Sequence, residues 1–480
     1  MATISPLLYK PFQNFSSLPF LHLPSFPLFF ALLAGMRVRS WLLPCSTAAA
    51  TSAAEPNNIK SLQSSSFLIS DASSFSDTSA NSSSSSTPSS DTSCSSLQSN
   101  LSLQSLPSIP SLQKLPIASD SFHVTLSQFP VASFKLPISH LAVHGPYLYV
   151  ATAHEINVYD RLTFSHVTGF NARDSSSGSV KGFAFLRREI LTSHQDGKIR
   201  VWNLLDKKNN QFKLVNTLPT VNDRLRRFIL PKNYVNVRRH KKLLWIQHAD
   251  AVTGLAVNND SIYSVSWDRS LKIWRGSDHR CIESVKAAHE DAINAVAVSA
   301  GGTVYTGSAD RKIRVWAKPE AEKRHVLVAT LEKHKSAVNA LALNEDGSLL
   351  FSGACDRSVL VWEREDSANY MAVIGALRGH KNAILCLIYV SDLLLSGSAD
   401  RTVRVWRRGG DGSFNCLTVL EGHKKPVKSL VVVSSEGEGM MSNGVVSVCS
   451  GSLDGELKAW KISLSNLNSP LPNSNIMNCS

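Results

Sequence analysis

The sequence predicts an all-β fold assembled from repeated units of short strands, preceded by a Ser-rich region that stays disordered. Three observations predict it. Between Phe122 and Ile462, short runs of Val, Ile, Leu and Ala alternate with Gly, Asp and Asn at the spacing of many short strands. Within that stretch six segments align without a gap, each ending on a Trp with an Asp six positions before it: Asp196/Trp202, Asp268/Trp274, Asp310/Trp316, Asp356/Trp362, Asp400/Trp406 and Asp454/Trp460. From Ser61 to Asn100, by contrast, half of the residues are serine, and few side chains could be buried.

The first 54 residues contain no Asp or Glu, and Leu18 to Gly35 is apolar but interrupted by Pro19, Pro24 and Pro27. The unbroken part is too short for a membrane span, which needs about 20 apolar residues. Residues 1–60 are therefore read as a targeting segment or as a non-native upstream extension, since Met36 would serve equally well as a start. Residues 61–115 form the disordered Ser-rich region, either a phosphorylatable tail or an inert linker, and residues 465–480 form a second disordered tail. Eight cysteines lie scattered without CxxC or metal-ligand spacing, which suits reduced thiols in the cytoplasm or nucleus. A chloroplast location is the alternative if residues 1–54 act as a transit peptide.

Trp274, Trp316, Trp362 and Trp406 recur every 42 to 46 residues. Longer steps before Trp274 and Trp460 imply insertions at 203–247 and near 435–444. Five repeats add a His 20 to 31 residues before the Asp and a Ser or Thr four before it. The sets are His248, Ser264, Asp268, Trp274; His289, Thr306, Asp310, Trp316; His334, Ser352, Asp356, Trp362; His380, Ser396, Asp400, Trp406; and His423, Ser450, Asp454, Trp460. In this pattern the chain resembles the WD-repeat family. The resemblance implies a seven-bladed β-propeller over residues 116–464, four strands per blade. It also implies that each set forms a structural hydrogen-bonded chain from Trp N–H through hydroxyl and imidazole to carboxylate.

The remaining repeats lie at the start. Ile138–Val143 matches Val252–Val257, and Tyr147–Tyr159 follows like a shortened repeat with Tyr159 in place of Trp. The second repeat keeps Thr192, Asp196 and Trp202 but lacks the His. Too little chain follows Trp460 for a full outer strand, so Phe122–Leu136 is placed to close the ring by pairing its two ends. A closer resemblance, to plant WD-repeat proteins of the JINGUBANG type, rests on Ser111–Leu115, His144–Tyr149 and Asn233–Lys242, and implies a regulatory adaptor.

Ser, His and Asp together invite a hydrolase reading, but a nucleophile is needed once and exposed, whereas these sets recur five times. GxSxG, P-loop and HExxH motifs are absent from the sequence. We therefore expect no enzyme, no catalytic residue, no metal and no cofactor, but a scaffold for other proteins, with the ring itself monomeric. Candidate contacts fall two and five residues after each network His: Asp250, Asp291, Asn294, Asn339, Asn382 and Lys425, with Thr253, Ser336, Leu385 and Lys428 at the equivalent places. Trp267 stands where other repeats carry Gln195, Ala309, Cys355, Ala399 or Leu453, and either projects outward or packs under the first insertion. The formal charge of +13 concentrates there: Arg224 to Lys242 holds eight Lys or Arg and no acid, including Arg226, Arg227, Arg238, Arg239, Lys241 and Lys242. An acidic protein partner is expected, with RNA as the alternative. Leu243–Ile246 is expected to return as the outer strand of the second blade.

Overall fold

A four-stranded repeat cannot cover both faces of its own sheet, so each must be sandwiched between two others. The computed structural model describes residues 122–206, 211–238, 241–365, 371–409, 412–433 and 445–466. The expected targeting segment, the Ser-rich region, the second insertion and most of the C-terminal tail lie outside them. Seven four-stranded antiparallel sheets are present among the described residues; six run in sequence order from the axis outward, and the seventh takes its outer strand from the start of the described chain. The inner strands are Ile138–His144, Val180–Leu186, Val252–Asn258, Ile293–Val298, Val338–Leu343, Ile384–Val390 and Val427–Val432. Sandwiching erases the usual in/out alternation of a strand: every residue of the second strands Leu349–Ala354 and Leu393–Ser398 is buried.

Seven apolar clusters fill the seven interfaces between neighbouring blades. Tyr305 and Val315 of blade four, for example, meet Val338 and Trp362 of blade five. The last cluster joins blade seven to blade one through Leu457, Cys449, Ile138 and Tyr159. Burial of a side chain of this size is worth roughly 2 to 3 kcal/mol, so these interfaces hold the ring together.

Closure uses the segment ahead of the first repeat. Phe122–Ser133 pairs antiparallel with Glu456–Asn466, from Phe122 opposite Asn466 to Ser133 opposite Glu456. That pairing carries the last strand to Asn466, into the stretch expected as tail. The junction also explains a glycine. In blades three to six the residue after the network Asp is Arg269, Arg311, Arg357 or Arg401, all at positive φ, but in blade seven it is Gly455. A Cβ there would collide with the carbonyl oxygen of Phe134, at the end of the closing segment.

The insertion after blade two departs from expectation. Blade two takes its outer strand from Gln211–Leu218, immediately after the third, and not from Leu243–Ile246. The chain then makes a short helix, Val221–Leu225, capped by the Thr220 side chain accepting from Asp223 N–H, and a hairpin of Tyr234–Arg238 with Lys241–Leu244. Leu244 and Ile246 are buried between blades two and three. They were apolar for that packing, and apolar character does not distinguish an outer strand from a buried link.

If the closing segment is structural, removing residues 1–100 should leave a cooperatively melting ring, whereas removing residues 1–136 should abolish cooperative melting. Thermal unfolding of both truncations checks this, and a cooperative melt of the longer one would refute the closure role.

Candidate functional site

Geometry separates the polar groups that build the ring from those left free to act. In blades three to six the imidazole Nε2 sits 2.8 Å from the Ser or Thr hydroxyl, which also accepts the Trp indole N–H at 2.8 to 3.0 Å. The other nitrogen, Nδ1, faces the Asp carboxylate at 2.8 to 3.2 Å. Blade seven is looser there: Nε2 to Ser450 is 2.7 Å, but Nδ1 to Asp454 is 3.5 Å. In blades three to six a neutral imidazole that donates from Nδ1 and accepts at Nε2 satisfies the chain end to end.

Each Asp is the hub. Asp268 accepts the N–H of Ala249 in the loop before the inner strand and the N–H of Ser270 in its own turn. Asp310, Asp356, Asp400 and Asp454 repeat both bonds with their own loops and turns. The turn bond holds the following Arg in the left-handed region, which costs a non-Gly residue about 1 to 2 kcal/mol. Burial alone would raise these carboxyls, yet the imidazoles and N–H donors hold all five below the usual carboxylate range, Asp356 at about 2. The hydroxyls of Ser264, Thr306, Ser352, Ser396 and Ser450 are sealed from solvent, as no attacking nucleophile can be.

Blade two corrects the sequence reading. Its network does have a histidine, His194, supplied from its own second strand: Nε2 lies 2.8 Å from the Thr192 hydroxyl, which accepts Trp202 N–H at 2.9 Å. Asp196 is left without an imidazole and pairs with buried Arg200 at 2.9 Å, which reaches Asp174 in the preceding loop at 2.7 Å. Arg200 thus ties loop to turn, the task that a loop histidine performs in blades three to six. The sequence signal for His194 is a histidine two positions past the network Thr, on the second strand itself and not in the loop upstream. Blade one drops the network together with its polar members: Val150 replaces the hydroxyl, and Tyr159 packs edge-on against Phe134 and His166.

The expected contact residues divide. Asp250, Asp291, Asn382 and Lys425 are exposed in the loops leading to the inner strands. Asn294 and Asn339 instead turn toward the axis and donate into the next blade, to Val338 O at 3.1 Å and Ile384 O at 2.9 Å. Trp267 remains 41% exposed, with the Lys181 ammonium over its ring.

In the insertion Arg226, Lys241 and Lys242 are exposed, while the side chain of Arg238 and all of Arg239 lie outside the described residues. Arg227 turns inward: it pairs with buried Asp223, donates to Cys281 O at 3.1 Å and stacks on Trp245. Asp223 in turn accepts the Cys281 N–H at 3.1 Å, which fastens the insertion to blade three. Attention to charge alone missed five large apolar side chains, Val221, Leu225, Phe228, Ile229 and Leu230, all exposed. Their density, five in ten residues, was the available signal. One His/Asp/Glu grouping, His423, Asp454 and Glu456, has metal-like proximity, but two members build blade seven and Glu456 pairs with Lys424 and Lys458 at 3.2 Å.

Two outcomes test these roles. Asp310→Ala or Asp356→Ala should lower stability by about 1 to 3 kcal/mol, because a buried imidazole and two N–H groups lose their acceptor; urea unfolding measures it, and unchanged midpoints would refute the hub role. Burial, then the Arg200 charge, push His194 from 6.5 down to about 3. The folded state therefore keeps it neutral while the unfolded chain takes up a proton, so stability falls as pH drops from 6.5 toward 3. His194→Asn should flatten that pH dependence of the melting temperature, and an unaltered slope would show that His194 does not titrate this way.

Comparison with known proteins agrees with this geometry. The WD domain, G-beta repeat family matches residues 241–275, 280–317, 325–363, 371–407 and 414–461, the five blades with a complete network. An F-box/WD-40 repeat-containing protein of Arabidopsis thaliana is 24% identical over 172 residues, covering 36% of this chain and 27% of that protein. A protein of Medicago truncatula named as an E3 ubiquitin-protein ligase LIN is 29% identical over 126 residues, 25% of this chain and 6% of that protein. The chain thus spans about a quarter of one relative's length and far less of the other's. Five matched repeats, and two more that the fold supplies with altered networks, make the chain a member of the WD-repeat family with a seven-bladed propeller.

Proposed function

We propose that this propeller is a non-catalytic scaffold whose insertion, residues 219–244, docks an acidic protein segment with an apolar face. One observation carries the reading: Val221 (70% exposed), Ile229 (72%), Leu225, Phe228 and Leu230 form a cluster left open to solvent beside exposed Arg226 and Lys232. Monomeric proteins seldom leave such patches uncovered without a use. The patch is held in shape. Arg227 and Asp223 anchor it below, Asn233 donates to Arg227 O at 2.8 Å, and the Tyr234 hydroxyl donates to Phe228 O at 3.0 Å. A preformed loop has little ordering entropy left to lose on binding. Beside it a cleft of about 420 Å3 runs between the hairpin and blade three, lined by Lys241, Trp245, Asp250 and Arg269 among others.

The rim offers further contacts at Asp250, Asp291, Asn382, Lys425 and Trp267. Capture of a partner, with any chemistry supplied by another chain, is in keeping with Ser, His and Asp groups tied up in structure. A regulatory adaptor in the cytoplasm or nucleus, acting as a single ring, is the corresponding cellular reading, and free buried Cys281, Cys416 and Cys449 suit a reducing compartment.

Phe228→Ala with Ile229→Ala should weaken partner binding by roughly 2 kcal/mol or more. Replacing Arg226, Lys241 and Lys242 with Gln should chiefly slow association and reduce its salt dependence. Both should melt like wild type, because these side chains face solvent. Binding kinetics with partners captured by the full chain measure both effects. If the apolar pair is silent while the charge variant abolishes binding to RNA with a steep salt dependence, the insertion is a nucleic-acid element and the protein-docking reading fails.

A further inference from the structure

Every inner strand begins with the same irregularity. One residue is skipped by the pairing with the second strand, a bulge that aims its side chain at the axis. In blades three, four and five that residue clasps the next blade: Thr253 donates to Ile293 O at 2.6 Å, Asn294 to Val338 O and Asn339 to Ile384 O. Blade one uses Ser139, which bonds its own Ala151 O, and blade six an apolar Leu385. Blades two and seven place lysines there, Lys181 and Lys428.

These two lysines clasp nothing. Lys428 has no hydrogen bond or ion pair among the described residues, and the contact of Lys181 is the face of Trp267, 5.4 Å from its ring centre. The cavity they share, about 300 Å3, is lined by residues from all seven inner strands and by no carboxylate. Blade one stands between them and contributes His140. Lys181 is half-buried, and desolvation and then the Lys428 charge hold its ammonium below the ordinary lysine range, while Lys428 reaches solvent at the mouth of the cavity. Burial, then Lys428, push His140 down to about 4, so near neutrality it is an uncharged hydrogen-bonding group. Two like charges facing one open-mouthed cavity repel each other and return nothing to ring closure. An anion between them would remove that repulsion.

We propose that the axial channel is a binding site for a phosphate group, held by Lys181 and Lys428 with His140 between them. Paired ammonium donors suit an oxyanion with two charges. The cavity admits inorganic phosphate or a small phosphomonoester but no helix or nucleic-acid strand. The site is separate from the insertion and does not depend on the scaffold reading.

The test is the melting temperature and 31P line width of the full chain with inorganic phosphate, with glycerol 3-phosphate, and with chloride at matched ionic strength. Both phosphates should stabilise the protein and be broadened by it, and chloride should do neither. Tighter binding of glycerol 3-phosphate would assign the site to an organic phosphate, and equal binding to the free ion; either supports the proposal. Lys181→Met and Lys428→Met should each weaken phosphate binding about tenfold or more while melting no lower than wild type without ligand. Lys181→Arg with Lys428→Arg should retain binding, which keeps the test decisive if the Met variants fold poorly. A phosphate response equal to that of chloride, retained in the double Met variant, or removed instead by Gln at Arg226, Lys241 and Lys242, would overturn the channel site.

Discussion

A carboxylate buried beside a neutral imidazole is the interaction on which this ring depends. In each of blades three to six one Asp receives an imidazole N–H, a loop N–H and a turn N–H, and so fixes three chain segments with one side chain. Removing water from such a carboxylate is expensive, and three donors are what make it tolerable. In return, the turn can hold a non-glycine residue at positive φ, and the loop meets the inner strand at one angle in every blade. Once that angle is set, the faces of neighbouring sheets come together at a constant spacing, and the apolar clusters between them can repeat.

The exceptions follow the same logic. A buried network is stable when complete or when wholly replaced, and unstable in between. Blade one replaces it, with Val150 and Tyr159 standing where hydroxyl and indole would be. Blade two rebuilds it from other residues, with His194 serving the hydroxyl and Arg200 serving the carboxylate. Neither blade is a damaged copy. Blade one lies beside the closing segment, where Phe134 packs on Tyr159, and the constraint there is the seam as well as the repeat.

How much of this was legible depended on whether a feature was periodic. Spacing located the five sets of His, Ser or Thr, Asp and Trp, because repetition multiplies a weak signal, and the family resemblance implied the hydrogen-bonded chain within each; the unfinished last blade pointed to Phe122–Leu136 as a partner strand, of which Phe122–Ser133 pairs. The insertion was not legible in the same way. Leu243–Ile246 has the composition of a strand, yet Leu244 and Ile246 fill a gap between blades, and sequence does not say which of two apolar surfaces claims a residue first. Asn294 and Asn339 stand at a loop-like position in the sequence, where a polar residue reads as a surface contact. The bulge that turns them into the channel is a property of pairing, visible only when both strands are in place.

That bulge also shows how a repeat fold acquires individuality. Seven copies of one backbone position face a common axis, and the ring needs only some of them to clasp a neighbour. Those not needed for closure are free to carry charge, and the sequence places lysine at two of them. The insertion shows the same division at the outer edge: Asp223, Arg227 and Trp245 spend their polarity and bulk on attachment, while Phe228, Ile229 and Arg226 are held out unpaired by that attachment. In both places, side chains that contribute nothing to the fold are fixed in position by ones that do, and a rigid display of unsatisfied groups is the physical requirement for recognition.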